Sequence, residues 1–333
     1  MSATQNIRAK VVGTGHYVPE RVVTNADLEK IVDTNDEWIQ TRTGIKTRRL
    51  VQEGEMATSD MAEMAARRAL EDAGLTAEDL DMIVLGTVTP DHHVPAAACR
   101  LQKRLGAGKI PAFDLSAACA GSIFALSVGE RFVTGGGYKR VLVVGGETMS
   151  SIVNWKDRNT CVLFGDAAGA AILEAGPADG PGIMDVIIRS DGDMYDVLYI
   201  PQGGSAQPIT PEGLAAGEDR VIMKGGETFK YAVRTLTKTI KEVLERNNLT
   251  ADDVSHVVAH QANMRIIEAV AQRLKVPMEK WVTNIQDYGN TSSASALVAL
   301  DSARRSGNVK PGEIMVFAAI GAGFSWGAGV LRA

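Results

Sequence analysis

Ala69–Gly86, ALEDAGLTAEDLDMIVLG, and Val243–His260, VLERNNLTADDVSHVVAH, are two versions of one unit set 174 positions apart. Identities fall at Leu70/Leu244, Glu71/Glu245, Leu75/Leu249, Thr76/Thr250, Ala77/Ala251, Asp79/Asp253 and Val84/Val258. Each version reads as a helix end, a turn, an acidic N-cap region and an apolar strand. The same offset relates KRVLVVG (Lys139–Gly145) to EIMVFAA (Glu313–Ala319), two buried strands. It also relates the small-residue helix in SAACAGSIFAL (Ser116–Leu126) to that in NTSSASALVAL (Asn290–Leu300). Three blocks at one spacing argue for a duplicated chain with halves of roughly 1–175 and 176–333.

Outward from these blocks, apolar runs alternate with amphipathic helices. Strands are expected at Lys10–Thr14, Met82–Thr87, Ala112–Leu115, Val141–Gly145 and Ala170–Glu174. Helices are expected at Ser59–Ala73, Pro95–Leu105, Ala118–Val133, Glu227–Asn247, Met264–Leu274 and Ser293–Arg305. That alternation predicts a layered α/β body. The Gly/Pro-rich Pro201–Asp219 is expected to be a long surface excursion. Ile314–Leu331 carries no charge and is long enough to be weighed as a membrane span, but its glycines break it into two β-like runs. A buried hairpin is the better reading.

The chain has 333 residues, 45% hydrophobic and 23% charged, which excludes disordered, collagenous and coiled-coil classes. A net charge of −5 gives no general attraction to nucleic acid or to an anionic membrane, and neither is expected as a partner. Cys99, Cys119 and Cys161 have neither disulfide-framework nor metal-ligand spacing. The start, MSATQNIRAK, lacks the pattern of a signal peptide, so a cytoplasmic protein is expected.

Three residues carry possible chemistry. Cys119 follows a strand and opens a helix in FDLSAACAGSIFAL, where the helix dipole and free backbone N–H groups favour thiolate. By position alone it reads equally well as a packed core cysteine. His260 ends the strand VVAH, at the sheet edge where α/β proteins usually bind ligands. Asn290 precedes the helix that mirrors the Cys119 helix, and alone it would be a simple N-cap. The duplication joins them: if the halves pack about a pseudo-dyad, thiol, imidazole and amide converge in one crevice. That set suits covalent acyl chemistry. His92 and His93 have no ligand spacing, and no metal is expected. GAGFSWG at Gly321–Gly327 lacks the Lys and following helix of a phosphate loop.

FDLSAACAGSIFAL, VVAHQANMRIIEAVAQRL, GNTSSASALVAL and GAGFSWGAGVL together resemble β-ketoacyl-acyl-carrier-protein synthase III, the initiating condensing enzymes of the thiolase superfamily. NADLEKIVDTNDEWIQTRTGIKTRRL looks like the same family's amino-terminal signature. The resemblance spans nearly the whole chain. It implies a five-layered αβαβα fold, a homodimer, and a Cys119–His260–Asn290 triad. It implies a ping-pong decarboxylative Claisen condensation of an acyl-CoA with malonyl-acyl-carrier protein, with acyl-CoA as substrate and no cofactor. His260 and Asn290 would act mainly after acylation, holding the enolate oxygen of the malonyl thioester. The backbone N–H groups of Cys119 and Ala322 would form the other oxyanion hole. Trp38 and Arg42 would sandwich the CoA adenine, with Arg158 and Asn263 as further CoA-binding positions. Gln261, Arg265, Arg273 and Lys275 would dock the acidic carrier protein. Val94, Ile320, Phe324 and Leu126 would line the primer pocket. Acetyl-preferring members often have Phe at the positions of Val94 and Ile320, so butyryl or longer primers are expected to serve at least as well as acetyl.

The rival readings differ in chemistry. A degradative thiolase needs a second cysteine near the carboxyl end, and none follows Cys161. Chalcone-synthase-like enzymes are longer and take malonyl-CoA directly. A specialised-pathway ketosynthase would share the triad but use an unusual primer or acceptor. A non-catalytic partner subunit would usually lose the cysteine. A cysteine hydrolase would release free acid.

Overall fold

The strands form where β-branched and other apolar residues run together, and the central ones, Met82–Gly86, Arg140–Glu147 and Ile314–Gly321, are buried almost throughout. In the computed structural model, which describes residues 7–333, five strands make the first sheet: β1 (Ile7–Tyr17), β2 (Met82–Gly86), β3 (Ala112–Leu115), β4 (Arg140–Glu147) and β5 (Ala167–Pro177). Their order is β1-β5-β4-β2-β3. The second sheet holds β6 (Gly182–Ser190), β7 (Val254–Ala259), β8 (Ile314–Gly321) and β9 (Ser325–Arg332), in the order β7-β8-β9-β6. The first six residues of the MSATQNIRAK start lie outside the described residues.

The two sheets repeat one pattern. The β2/β4 and β7/β8 pairs are parallel, β4/β5 and β8/β9 antiparallel, β5/β1 and β9/β6 antiparallel. The place of β3 is reduced in the second sheet to one bridge between Val257 and Trp281. The turns that launch β2 and β7 carry the same capping box. Asp79 accepts the Thr76 N–H at 2.9 Å and Asp253 accepts the Thr250 N–H at 2.7 Å. This pairing accounts for the identity of those Thr and Asp positions in the repeat.

Among the described residues seven helices have eight residues or more: α1 (Asp36–Thr43), α2 (Thr58–Ala73), α3 (Ala97–Leu105), α4 (Gly121–Thr134), α5 (Gly225–Arg246), α6 (Met264–Leu274) and α7 (Ser295–Arg305). Helices α2 and α3 cover the outer face of the first sheet, α5 and α6 the outer face of the second. Between the sheets lie α4 and α7, giving five layers, αβαβα. Strand alternation sends Val141 and Val143 to the central layer and Leu142 and Val144 to the outer one. Each such burial is worth about 1.5–3 kcal/mol.

The run Ile314–Leu331 is the hairpin β8/β9, in register from Ile314↔Arg332 to Gly321↔Ser325. Among the described residues no helix is long and apolar enough to cross a membrane. Pro201–Asp219 is largely exposed but not shapeless. Thr210 caps a short helix, Pro211–Ala216, and the buried Gln202 side chain bonds Thr210 N–H and Glu218. Two helices start later than the sequence suggests. Ala118 (φ 47°) and Ser292 (φ 48°) adopt left-handed backbone, so a tight turn precedes α4 and α7. These two residues are equivalent under the 174-residue offset.

Candidate active site

Strands β2 and β7 end at Gly86 and Ala259, and the chain beyond them meets the turns that open α4 and α7. Gly86 and His260 occupy the same place in the two halves. A Cβ on Gly86 would lie 2.7 Å from the Gly121 carbonyl carbon, so only glycine lets β2 approach α4. In the second half the equivalent contact is a side-chain bond: His260 Nδ1 to Ser295 Oγ, 2.6 Å.

Cys119 lies in the turn Ala118–Ala120 and is buried. The sequence predicts a thiol lowered by the helix start. The structure reverses this: burial pushes Cys119 up to about 11, with the Glu147 charge adding to the rise. Ser292 and the backbone N–H of Cys119 pull it partway back. The resting group is therefore a thiol, and a base has to take its proton.

The turn between β8 and β9 presses on this residue. A Cβ on Gly321 would stand 2.4 Å from Cys119 N and 2.8 Å from Ala120 N. Ala322 follows directly in that turn, half-buried. Gly321→Ala is expected to displace the Cys119 turn at a cost of about 1–3 kcal/mol in stability. Mass-spectrometric acylation of Cys119 should fall with it. An unchanged melting temperature and unchanged acylation would contradict the packing.

His260 donates its backbone N–H to Ala318 O at 2.7 Å, which continues the β7/β8 ladder by one step. Burial pulls its imidazole down to about 3, so it is neutral at ordinary pH. Ser295 Oγ accepts from Gln261 N–H (3.2 Å) and has one proton for two acceptors, Ser292 O (2.9 Å) and His260 Nδ1 (2.6 Å). Given to the carbonyl, that proton leaves His260 protonated on Nδ1 with Nε2 as a base. Given to Nδ1, it leaves Nε2–H as a donor. One hydroxyl thus accommodates both tautomers.

Asn290 is held by its backbone, donating to Leu163 O at 2.8 Å and accepting from Gly165 N–H at 3.1 Å. Its Oδ1 accepts the Ser292 N–H at 2.9 Å, which fixes the amide plane. Ser292 therefore stands among the three groups. Its turn packs on the Cys119 turn, its N–H bonds Asn290, and its carbonyl is reached by the Ser295 hydroxyl that meets His260.

The remaining predicted positions divide. Arg42 and Arg158 lie over the Trp38 indole at 4.9 and 5.1 Å, on an exposed rim. At 4.9 Å no base fits between Trp38 and Arg42, so the expected sandwich is not preset; a guanidinium must swing aside. Asn263 caps α6 and ties it to α1 through Arg42 O, 3.0 Å. Arg265, Arg273 and Lys275 are exposed along α6, with Arg265 over the Phe229 ring at 5.5 Å.

Gln261 is a correction. It is fully buried, donating to Ala259 O and Val282 O and accepting from Asn284 N–H, so it offers no docking surface. The four primer-pocket positions are another. Val94 is 83% exposed on a loop, and Leu126 packs into the core between the sheets. Strand alternation turns Ile320 into the outer core with Phe324, which stacks on Tyr231 at 4.9 Å. These residues build no common wall within one chain. Sequence reasoning passed over Glu147, Ser292 and Ser295. The repeat held a signal for Glu147, since it stands where the second half has Gly321. Among the described residues no three His, Cys, Asp or Glu side chains gather as a metal site.

Known proteins are similar to this chain in sequence and fold. Residues 113–192 match the family described as 3-oxoacyl-[acyl-carrier-protein (ACP)] synthase III, and residues 244–333 match its C-terminal part. The β-ketoacyl-[acyl-carrier-protein] synthase III of Caldanaerobacter subterraneus subsp. tengcongensis is 49% identical over 328 residues, 98% of each chain. The crystal structure of 3-oxoacyl-[acyl-carrier-protein] synthase III from Aquifex aeolicus VF5 has a TM-score of 0.90 at 45% identity, over 98% of this chain and 100% of that one. The priming β-ketosynthase of the R1128 polyketide pathway has a TM-score of 0.91 at 36% identity, over 100% of this chain and 98% of that one. With this likeness running along nearly its whole length, the chain belongs to the β-ketoacyl-[acyl-carrier-protein] synthase III family.

Proposed function

We propose that this protein condenses an acyl-CoA primer with malonyl-acyl-carrier protein, giving a β-ketoacyl-carrier protein, CoA and CO2, and so initiates fatty acid biosynthesis. The observation that carries the reading is the arrangement around Ser292, whose N–H bonds Asn290, whose carbonyl takes the Ser295 hydroxyl that meets His260, and whose turn packs on the Cys119 turn. The nucleophile comes from the half 1–175 and the other two groups from 176–333.

In the first half-reaction the neutral His260 Nε2 takes the Cys119 proton. The thiolate forms a bond to the acyl carbon, the carbon–sulfur bond to CoA breaks, and the departing CoA sulfur takes the proton back. The backbone N–H groups of Cys119 and Ala322 face the oxyanion. In the second, the malonyl carboxylate leaves as CO2 and its electron pair becomes an enolate. The Asn290 amide N–H and His260 Nε2–H hold the enolate oxygen. The enolate carbon attacks the acyl-cysteine, the bond to Cys119 sulfur breaks, and the thiolate regains a proton from solvent. Fixed donors of this kind are worth about 3 kcal/mol each. No cofactor enters the scheme.

Trp38, Arg42 and Arg158 supply the aromatic and cationic rim for the CoA nucleotide, and Asn263 stands beside it. Arg265, Arg273 and Lys275 offer the acidic carrier protein a basic strip on an otherwise acidic enzyme. A homodimer fits the open edge of β3, which pairs only with β2, and the exposed Val94 nearby. A cytoplasmic setting suits three unpaired cysteines.

Product analysis with and without malonyl-carrier protein tests the reading. A β-ketoacyl-carrier product that forms only when the carrier substrate is present is expected. Free acid released at the same rate in both reactions would make the protein a hydrolase instead.

A further inference from the structure

We propose that Ser292 and Glu147 are positioning residues for the nucleophile: the Ser292 hydroxyl, bonded to the Glu147 carboxyl in the turn that packs on the Cys119 turn, directs its proton toward whichever of carboxyl and sulfur is negatively charged. This deepens the reading of Cys119 as the acylated residue and rests on it.

The geometry is specific. Glu147 ends β4 fully buried, with no cation against it. Its Oε2 accepts the N–H groups of Val88 (3.0 Å) and Thr89 (3.1 Å) and the hydroxyls of Thr89 (2.7 Å) and Thr87 (3.1 Å). Oε1 has Ser292 Oγ at 3.2 Å and only a long contact to Val88 N at 3.3 Å. A proton on this carboxyl therefore sits on Oε1, facing Ser292. Burial raises the carboxyl, which favours that protonated form.

Two arrangements follow. With Glu147 neutral, Oε1–H donates to Ser292 Oγ, and the Ser292 proton is free to stabilise a Cys119 thiolate. With Glu147 ionised, the Ser292 proton turns to Oε1, and the carboxylate charge opposes thiolate formation. No bond is made or broken between the three; only the direction of the Ser292 hydroxyl changes.

Other charges are remote. The strands β8 and β9 and helix α4 pack on the Cys119 turn. Their ionisable side chains, Arg332, Glu130 and Arg131, stand at the far ends of those elements. The turn Ser292–Ala294 has no ionisable side chain. His260, the other titratable group of the cluster, is neutral.

The duplication makes the arrangement stand out. Ser292 holds the same left-handed backbone as its counterpart Ala118, a conformation that strains a non-glycine residue. Glu147 is the counterpart of Gly321, the residue pressed against Cys119 N. The first half thus supplies a carboxyl where the second supplies only backbone.

The rate of Cys119 alkylation by iodoacetamide between pH 6 and 10, read by peptide mass spectrometry, tests this without any acyl substrate. Glu147→Gln keeps the shape and the donor while removing the charge. It should speed alkylation by about tenfold near pH 9, where the raised wild-type carboxyl has ionised, the equivalent of one pKa unit. Ser292→Gly removes the hydroxyl while relaxing the strained backbone, so the protein should still fold. It should slow alkylation by about the same factor and move the profile to higher pH. Equal rates in Glu147→Gln and wild type, or both variants moving in one direction, would overturn the proposal. Opposed shifts in a protein that fails to acylate Cys119 would leave this pair in place and refute the condensing reaction instead.

Discussion

Cys119→Ala is expected to take up no acyl group from acyl-CoA and to lose condensation by about 10⁴- to 10⁶-fold, the scale seen when a covalent nucleophile is removed. The covalent intermediate has no other home. Cys99 is exposed on α3, away from the cluster, and Cys161 is a buried thiol pushed up to about 11 by its own surroundings. Malonyl decarboxylation should survive in the same variant, because His260 and Asn290 do not need the sulfur to hold an enolate oxygen. Intact-protein mass after incubation with acyl-CoA reads the first half-reaction, and CO2 release reads the second. Acyl label recovered on Cys99 or Cys161 in the wild type, and never on Cys119, would end this assignment.

His260→Ala should damage both half-reactions, whereas Asn290→Ala should spare the first. The sequence alone suggests that transacylation would outlast the loss of His260, because a helix start could supply the thiolate. With the thiol at about 11, only about one molecule in a thousand is thiolate at pH 8, and the base becomes necessary. Loss of a general base costs about 10²- to 10⁴-fold in acylation. Loss of one enolate donor costs about 10²- to 10³-fold in decarboxylation. The acylation defect of His260→Ala should shrink as pH rises toward the thiol value, since thiolate then forms without help. The wild type should show no acid limb from His260 until the pH approaches about 3, where the buried imidazole protonates. Acylation at the wild-type rate in His260→Ala at pH 7 would refute the base role.

The duplication, the αβαβα layering and the places of Cys119, His260 and Asn290 were legible in the chain. Their signals are local: apolar runs of strand length, the Thr–Asp capping boxes at Thr76 and Thr250, small residues where a helix slides between two sheets. Spacing then carried those local signals to the architecture, because a repeated unit must bury the same face twice. Other features had no local signature. Gln261 reads as a polar residue beside a helix, yet its amide satisfies the backbone of Ala259, Val282 and Asn284 inside the core. Ile320 reads as a neighbour of the catalytic turn, yet strand alternation points it to the opposite layer from Gly321.

The protonation chemistry was decided by tertiary structure alone. A helix start and a thiol are contiguous in sequence, and together they suggest a lowered pKa. Desolvation depends on everything packed around the sulfur, and it outweighs the helix start once Gly321 and Ser292 close over Cys119. Glu147 meets Ser292 across 145 positions of chain, and His260 meets Ser295 across 35. The sequence by itself determined the strand ends and helix starts at which Cys119, His260 and Asn290 lie, because periodicity and repeats are encoded by neighbours along the chain. Which of them carry protons there was set by contacts between distant segments, because a charge responds to distance in space and to exclusion of water rather than to position in sequence.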